Sequence, residues 1–282
     1  MNLPLRTEEA DAAAKARCQQ GRVVFQSFPG SPTREYFTYV PQCARASSPV
    51  VVLVHGITRN AAEHVFRFVG EAEKAGAILI APLFTKQAYG QYQQVVDRHG
   101  GMRADLALFD ILDAVADQTG ASVKRIHLFG FSGGAQFAHR FMMLHPDRVA
   151  AIAVAAAGWY TFPDPALPYP HGIGTHPCPG SRFDPDHFLS VPRHVLVGDQ
   201  DIARDEALRT SRRLDRLQGK TRVARARRWF DMMQRDSLKR RAAPPRSSLT
   251  ILSGAGHSFT EAAERQNLVE TVFRRFDLLP TN

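Results

Sequence analysis

The chain has 282 residues, of which 44% are hydrophobic and 22% charged, a composition typical of a folded globular protein and too apolar for an intrinsically disordered one. This length allows one large domain or two small ones, with a core that needs neither metals nor disulfides. The net charge of +9 comes from residues 202–246, which hold 15 basic and 5 acidic residues. A basic charge confined to one segment argues against a nucleic-acid partner, because nucleic-acid-binding proteins usually present a whole basic face.

The predicted elements begin with an antiparallel hairpin, in which two stretches of alternating polarity, 22–28 and 34–40, flank a turn rich in proline. Short runs that are apolar throughout follow at 50–54, 77–81, 126–129, 149–157, 195–197 and 249–252. Helical stretches separate these runs, including 105–119 and 135–144. Strands that are apolar on both faces are typical of a covered parallel sheet. We therefore predict one α/β domain over 1–282, with a mostly parallel sheet of about eight strands and helices on both faces.

Two long stretches interrupt this alternation, a connection rich in proline and glycine at 158–190 and the basic segment at about 203–246, which precedes the last strand. Apolar residues recur at helical spacing in the basic segment, at Leu208, Leu214, Leu217, Val223, Ala226, Phe230 and Met233. We predict two amphipathic helices there, joined around Gly219. Core packing is expected for three aromatic residues of the connection, Trp159, Tyr160 and Phe162.

The strand predicted at 126–129 runs directly into a turn that reads GFSGG, with Ser132 at its centre, and a helix follows at once. So sharp a turn leaves no room for side chains two positions before and after its central residue, which explains Gly130 and Gly134. Ser132 is lifted clear of the sheet at the N-terminus of a helix, where N–H groups favour the negative charge of acyl transfer. Ser132 is therefore the candidate nucleophile.

A serine nucleophile needs a histidine as base and a carboxylate to orient that histidine. Asp199 and Asp201 follow one late strand, and His257 follows the last strand within a run of small residues. Because parallel strands present their carboxyl ends at one edge of the sheet, these groups are expected to reach Ser132. We prefer Asp201 to Asp199, since a longer turn after the strand carries its side chain back toward the histidine.

Such a site also needs N–H groups that stabilise the oxyanion of the transition state. The strand at 50–54 is followed by His55 and Gly56, and a glycine there lets the backbone approach a substrate oxygen. We assign the N–H groups of Gly133 and Ile57 to this oxyanion hole, with Thr58 as the alternative to Ile57.

The remaining features concern compartment and metals. Three scattered cysteines, Cys18, Cys43 and Cys178, form no CxxC pair and favour a reducing compartment. Acidic residues stand where a signal peptide needs apolar ones, and the longest mostly apolar run, 149–160, is too short for a membrane span. We predict a cytoplasmic protein without a transmembrane segment. No metal is expected, because the histidines of the 158–190 connection lack zinc-ligand spacing.

These residues resemble the α/β-hydrolase family over nearly the whole chain. Ser132, Asp201 and His257 fall on the family's nucleophile, acid and base in the family's order. The stretches HGITRNA at 55–61 and AAGWYTFPDP at 156–165 are similar to esterases of the poly(3-hydroxybutyrate) depolymerase-like branch. The resemblance implies the α/β-hydrolase fold and a serine esterase that forms an acyl-enzyme and uses no cofactor. Without an export signal or a substrate-binding module, a small-molecule ester is the expected substrate rather than a solid polymer.

Several alternatives follow from the same residues. The basic segment is a solvated helical insert covering an edge of the sheet, or a cap whose arginines attract an anionic acyl or phosphate-bearing substrate. A third possibility is docking on a membrane surface or nucleic acid. The same triad would serve an acyltransferase, a thioesterase or a peptidase. A different class of function is a non-catalytic binding protein that works through the basic segment. The pattern carries no information on oligomeric state.

Overall fold

One eight-stranded sheet organises the computed structural model, which describes residues 19–96, 102–240 and 246–280. The strands are β1 Val23–Phe28, β2 Arg34–Tyr39, β3 Val50–Val54, β4 Ile78–Pro82, β5 Ile126–Phe131, β6 Val149–Ala155, β7 Arg193–Gly198 and β8 Ser247–Leu252. Their order in the sheet is β1-β2-β4-β3-β5-β6-β7-β8. The β1–β2 and β2–β4 pairings are antiparallel, whereas the pairings that join β4, β3, β5, β6, β7 and β8 are parallel. This topology confirms the predicted hairpin and the mostly parallel sheet.

Helices cover both faces of the sheet, as predicted. They are α1 Ala61–Ala75, α2 Ala104–Thr119, α3 Gly133–Leu144, α4 Pro185–Phe188, α5 Arg212–Gln218, α6 Arg222–Lys239, α7 Phe259–Arg265 and α8 Leu268–Arg275. On one face, α2, α3 and α6 pack through a core that includes Leu108, Phe137 and Trp229. On the other face, α1, α7 and α8 pack through a second core that includes Phe68 and Phe273. The two helices predicted by position, α2 and α3, are confirmed, and each begins one or two residues earlier than expected.

The ends of the central strands matter because they position the loops at one edge of the sheet. Every residue of β3, β4 and β7 is buried, since helices lie on both of their faces. The strand β5 extends two residues beyond its predicted end and runs up to Ser132. The strand β6 stops two residues earlier than predicted, because Ala156 takes a positive φ of 54°. The ends of β5 and β6 depend on backbone conformation, and an apolar run in the sequence does not predict that conformation.

The basic segment contains the two predicted helices, α5 and α6, with Gly219 between them at a φ of 107°. Leu208 was predicted to lie in a helix but lies in a turn before α5, where it is buried. Ala226, Trp229 and Met233 of α6 belong to the core on one face of the sheet. The expectation of an insert covering an edge is therefore wrong. The apolar stripe of α6 makes it one of the helices that cover a face of the sheet.

The connection at 158–190 folds back onto the same core. Tyr160 and Phe162 are buried, as expected, and Trp159 is only 4% exposed. The indole Nε1–H of Trp229 donates to the carbonyl oxygen of Thr161 at 2.8 Å, which ties α6 to the start of this connection. The loop after β6 is thus fixed between the sheet and α6.

Candidate active site

Ser132 occupies the turn between β5 and α3. Its φ is 53° and its ψ is −109°, a conformation that non-glycine residues rarely adopt and that is concentrated at functional sites. The N–H of Ser132 donates to the carbonyl oxygen of Ala155, the last residue of β6, at 2.8 Å. This hydrogen bond holds the strained turn against the neighbouring strand, and the serine residue remains 9% exposed.

Gly130 and Gly134 make the turn sterically feasible, as the sequence predicts. A Cβ on Gly130 would lie 2.2 Å from the carbonyl oxygen of Gly134, and a Cβ on Gly134 would lie 1.9 Å from the carbonyl oxygen of Val54. Both distances are far shorter than van der Waals contact. Any side chain at these positions would force α3 away from the strands on which it packs.

The structure brings Ser132, His257 and Asp201 into one chain of hydrogen bonds. Ser132 Oγ lies 3.1 Å from His257 Nε2, and His257 Nδ1 lies 2.8 Å from Asp201 Oδ2. Since a carboxylate only accepts, Nδ1–H donates to Asp201 and Nε2 accepts from the serine hydroxyl. Asp201 is 1% exposed, whereas the His257 side chain is 17% exposed. A ligand can therefore reach the serine and the histidine, while the acid is shielded from water.

Asp199 and Asp201 leave the same loop after β7 but have different partners. Asp199 Oδ1 accepts from the N–H of Gly254 at 2.8 Å, which fastens the loop after β7 to the loop that carries the histidine. The two loops are in close contact, because a Cβ on Gly198 would lie only 2.0 Å from the carbonyl oxygen of Ala255. Asp201, rather than Asp199, is the carboxylate that is hydrogen-bonded to the histidine.

The two N–H groups assigned to the oxyanion lie on facing segments. A Cβ on Gly133 would lie 3.4 Å from the backbone nitrogen of Ile57, so the loop after β3 meets the first turn of α3 at this point. Within the described residues, neither N–H group donates to a protein acceptor. Thr58, the alternative, lines the same cavity. Unpaired N–H groups at the start of a helix are suited to bind an anion.

Buried side chains that were not predicted as site residues hold the loop after β3 in place. His55 Nε2 accepts from the N–H of Phe84 at 3.0 Å, and its Nδ1–H faces a carbonyl of its own loop at 2.8 Å. Burial lowers the pKa of His55 to about 3, so the ring is neutral and acts as a structural link. The hydroxyl of Tyr92 donates to the carbonyl oxygen of His55 at 2.7 Å. Arg59 Nη1 donates to the carbonyl oxygen of Ile57 at 2.7 Å.

A buried ion pair next to the acid was also missed. Arg222 Nη1 donates to Asp201 Oδ1 at 3.1 Å, and Arg222 Nη2 donates to Asp205 Oδ1 at 3.0 Å. The side chains of Arg222 and Asp201 are both fully buried. The hydrogen bond from Arg222 lowers the pKa of Asp205. No local pattern separates Arg222 from the other arginines of the basic segment, so only the folded structure reveals this contact.

A cavity of about 310 Å³ lies beside Ser132 and His257. Phe131 and Phe259 contribute aromatic surface to its lining, and Ala207 of the basic segment also lines it. A largely apolar cavity with a few polar groups is typical of a small-molecule site. The first residues of the basic segment therefore border the mouth of the site, although α6 does not.

The described residues contain no group of three or more His, Cys, Asp or Glu side chains that could hold a metal ion. In the connection at 158–190, His176 Nδ1 instead accepts from the N–H of Cys178 at 3.0 Å. Cys43 and Cys178 are free thiols, and Cys18 lies outside the described residues. In the part of the chain that the structure describes, no helix is long and apolar enough to span a membrane.

Comparison with known proteins gives matches at the level of structure. No model of a protein family matches the sequence, and no curated protein is significantly similar to it. Poly(aspartic acid) hydrolase-1 from Sphingomonas sp. KT-1 matches with a TM-score of 0.77 and 24% identity, over 90% of this chain and 100% of that chain. LpqC, a poly(3-hydroxybutyrate) depolymerase from Bordetella parapertussis, matches with a TM-score of 0.76 and 26% identity, over 97% and 96% of the two chains.

The chain has the α/β-hydrolase fold. A more distant α/β-hydrolase neighbour is an S-formylglutathione hydrolase from Agrobacterium tumefaciens, with a TM-score of 0.58 and 15% identity over 91% of this chain and 95% of that chain. The predicted fold and the predicted resemblance to poly(3-hydroxybutyrate) depolymerase-like proteins are thus confirmed. Because the α/β-hydrolase fold is shared by enzymes with different substrates, function depends on the site itself.

Proposed function

We propose that this α/β-hydrolase is a serine hydrolase that cleaves carboxylic esters through an acyl-enzyme intermediate. Ser132 is the nucleophile, His257 the general base and Asp201 the acid that orients the histidine. The single observation that carries this proposal is the hydrogen-bonded series from Ser132 Oγ to His257 at 3.1 Å and from His257 to Asp201 at 2.8 Å. Its support from the comparisons is that the solved neighbours include hydrolases, an esterase and a depolymerase.

The reaction begins when Ser132 Oγ attacks the ester carbonyl and its proton passes to His257 Nε2. The tetrahedral oxyanion accepts hydrogen bonds from the N–H groups of Gly133 and Ile57, which lie on a helix terminus and a facing loop. The imidazolium donates its Nε2 proton to the leaving alcohol, and Asp201 stabilises the charged ring throughout. Water then attacks the acyl-enzyme with His257 as the base, which releases the acid and restores the serine hydroxyl.

The cavity indicates an acyl group of limited length. Its volume of about 310 Å³ lies at the small end of the range of about 300–1,000 Å³ found for ligand pockets. We therefore expect p-nitrophenyl esters of two to eight carbons to be better substrates than the palmitate ester.

The test is hydrolysis of p-nitrophenyl esters from acetate to palmitate by the wild-type protein and by Ser132→Ala. We expect turnover in the wild type and a loss of at least 10³-fold in the variant. Ser190, an exposed serine outside the site, provides the matched control as Ser190→Ala, which should keep full activity. A fluorophosphonate probe should label the wild type and the control but not Ser132→Ala. Turnover that survives in Ser132→Ala would overturn the assignment.

Product analysis separates the alternatives that use the same triad. An added alcohol or amine acceptor yields a new ester or amide only if acyl transfer competes with hydrolysis, and thioester and peptide substrates test the remaining two activities. The non-catalytic alternative, in which the protein binds through the basic segment, predicts no turnover and no labelling by the probe.

A further inference from the structure

Two arginines that have no carboxylate partner among the described residues lie on the ring of Trp159. The guanidinium carbon of Arg140 is 4.1 Å from the ring centroid, and that of Arg209 is 5.3 Å from it. Arg140 is fully buried, and within the described residues it donates only to uncharged oxygen atoms. Its Nη2 has no hydrogen-bond partner. Burial, together with the charge of Arg209, lowers the pKa of Arg140 to about 10.

A third arginine, Arg225, contacts the backbone next to this pair. Arg225 Nη1 donates to the carbonyl oxygen of Gly158, the residue before Trp159, at 2.6 Å. One carboxylate, that of Asp215, receives hydrogen bonds from both Arg225 and Arg204, at 3.0 and 2.8 Å. Arg225 and Arg204 therefore share one acid, whereas none of the described carboxylates is paired with Arg140 or Arg209. The charges of buried Arg140 and exposed Arg209, neither paired with a described carboxylate, create a positive local potential that favours an anion.

Two short stretches of chain connect this cationic region with the proposed active site. Gly158 follows β6 by three residues, and the last carbonyl of β6, that of Ala155, holds the N–H of Ser132. Ala207, which lines the cavity beside Ser132, precedes Arg209 by two residues. Arg209 thus follows a residue of the cavity lining closely along the chain, and the proposed subsite rests on this connection.

We propose that Arg209, held on the ring of Trp159 and reinforced by buried Arg140, forms a subsite for a carboxylate of the substrate. This subsite extends the proposed esterase function and names its substrate class, an ester whose acyl or alcohol part carries a free carboxylate. The planar guanidinium binds a carboxylate through two parallel hydrogen bonds. Its stacking on an aromatic ring orients it before the ligand arrives.

Arg209 differs from the arginines that serve the fold. Arg222 and Arg193 are buried, and their Nη groups donate to carboxylates, a backbone carbonyl and a serine hydroxyl. Arg209 is exposed, and no described carboxylate forms a salt bridge with it. Its side chain is therefore available to a ligand, and its replacement should not disturb the core.

The experiment compares two matched substrates, mono-p-nitrophenyl adipate, which carries a carboxylate, and its methyl ester, which is neutral. The subsite predicts that Arg209→Gln lowers kcat/KM for the anionic ester by about tenfold or more, through KM. It predicts a change of less than about twofold for the neutral ester. The matched control is Arg227→Gln, which removes an exposed arginine from α6 and should leave both substrates unaffected.

Ionic strength and direct binding provide further readouts. Added salt should lower kcat/KM for the anionic ester in the wild type and in Arg227→Gln, but much less in Arg209→Gln. In titration calorimetry, monomethyl adipate should bind to Ser132→Ala and lose at least tenfold in affinity when Arg209→Gln is added.

The outcomes separate this subsite from the proposed function. Equal losses on the two esters in Arg209→Gln, or no loss on either, would overturn the subsite while leaving the esterase function intact. If the wild type cleaves neither ester, the esterase function fails, and the calorimetric titration alone decides the subsite. Absence of monomethyl adipate binding, or equal binding with and without Arg209, would then overturn it.

Discussion

Arg222 Nη1 donates to Asp201 Oδ1 at 3.1 Å, while the other oxygen of the same carboxylate accepts from His257 at 2.8 Å. Both partners of the ion pair are fully buried. A helix of the basic segment is therefore connected directly to the proposed acid. The second nitrogen of the guanidinium binds Asp205 at 3.0 Å, so the same arginine also ties down the loop that leads from the acid toward the cavity.

We expect Arg222→Met to reduce both stability and activity. Removing one partner of a buried ion pair leaves an uncompensated charge, which typically costs about 3 kcal/mol in the free energy of unfolding. Loss of the fixed geometry at Asp201 should reduce kcat/KM on the order of 10²-fold. The measurements are urea unfolding and hydrolysis of p-nitrophenyl butyrate.

Two further variants sharpen this test. Arg222→Lys keeps the charge but not the fork of donors, and we expect intermediate values for both quantities. Arg227→Met, at an exposed position of the same helix, should resemble the wild type. A large loss of stability in Arg222→Met with unchanged kcat/KM would mean that the arginine supports the fold and not the reaction.

The second prediction separates the two aspartates of the loop after β7. Asp201→Asn should lower kcat by about 10³–10⁴-fold, because an amide in place of the carboxylate favours the wrong histidine tautomer. Asp199→Asn should stay within about fivefold of the wild type, since an amide oxygen still accepts from the N–H of Gly254. Steady-state kinetics on one ester is sufficient. A larger effect at Asp199 than at Asp201 would reverse the assignment.

The third prediction concerns the N–H groups of the proposed oxyanion hole, which no side-chain replacement removes directly. A Cβ on Gly133 would lie 2.6 Å from Tyr92 Oη and 3.0 Å from Ile57 Cγ2. Gly133→Ala should therefore displace the facing loop and lower kcat on the order of 10²-fold, the typical effect of losing one oxyanion donor. Gly70→Ala is the matched control, because a Cβ there would have no neighbour within 4 Å.

A double variant tests the steric cause of that loss. Adding Tyr92→Phe to Gly133→Ala removes the oxygen that the new methyl group would meet. Because Tyr92→Phe alone also removes the hydrogen bond to the His55 carbonyl, we expect Gly133→Ala to lower kcat by a smaller factor in the Tyr92→Phe background than in the wild type. If Gly133→Ala costs the same factor in kcat in both backgrounds, the clash with the Tyr92 hydroxyl does not explain the effect.

The fourth prediction concerns acid sensitivity. Burial lowers the pKa of His64 to about 4, and its ring stacks on Phe259 with centroids 3.8 Å apart. In the unfolded chain the histidine has a pKa of about 6.5, so below that pH the unfolded state binds more protons and stability falls. The contribution is present above pH 6.5 and is lost progressively as the pH falls toward 4.

The free energy of unfolding should fall between pH 7 and pH 5 in both proteins. We expect this fall to be about 2 kcal/mol smaller in His64→Phe than in the wild type. Urea titrations at the two pH values measure this difference. The control is His187→Gln, which replaces an exposed histidine and should retain the pH dependence of the wild type. Identical pH dependence in His64→Phe and the wild type would refute the proposed role of buried His64.

Much of the fold was predictable because its signals are local. A continuous apolar run indicates that both faces of a strand are covered. The small residues of GFSGG indicate a sharp turn at that point in the chain. The order of Ser132, Asp201 and His257 along the chain carried the site prediction in the same way, since loops after parallel strands meet at one edge. The predicted bounds failed where a single backbone torsion, such as that of Ala156, ends a strand.

By itself, the sequence determined the eight-stranded α/β-hydrolase architecture, the residues at the ends of its strands, and the concentration of charge in one segment. Only the tertiary structure decided which arginines of that segment are internal and which are free to meet a ligand. Arg222 lies fully buried against Asp201, whereas Arg209 lies exposed on Trp159. The contacts of a guanidinium group depend on how elements distant in sequence pack together. Helical periodicity describes only the local pattern along one helix and therefore does not predict those contacts.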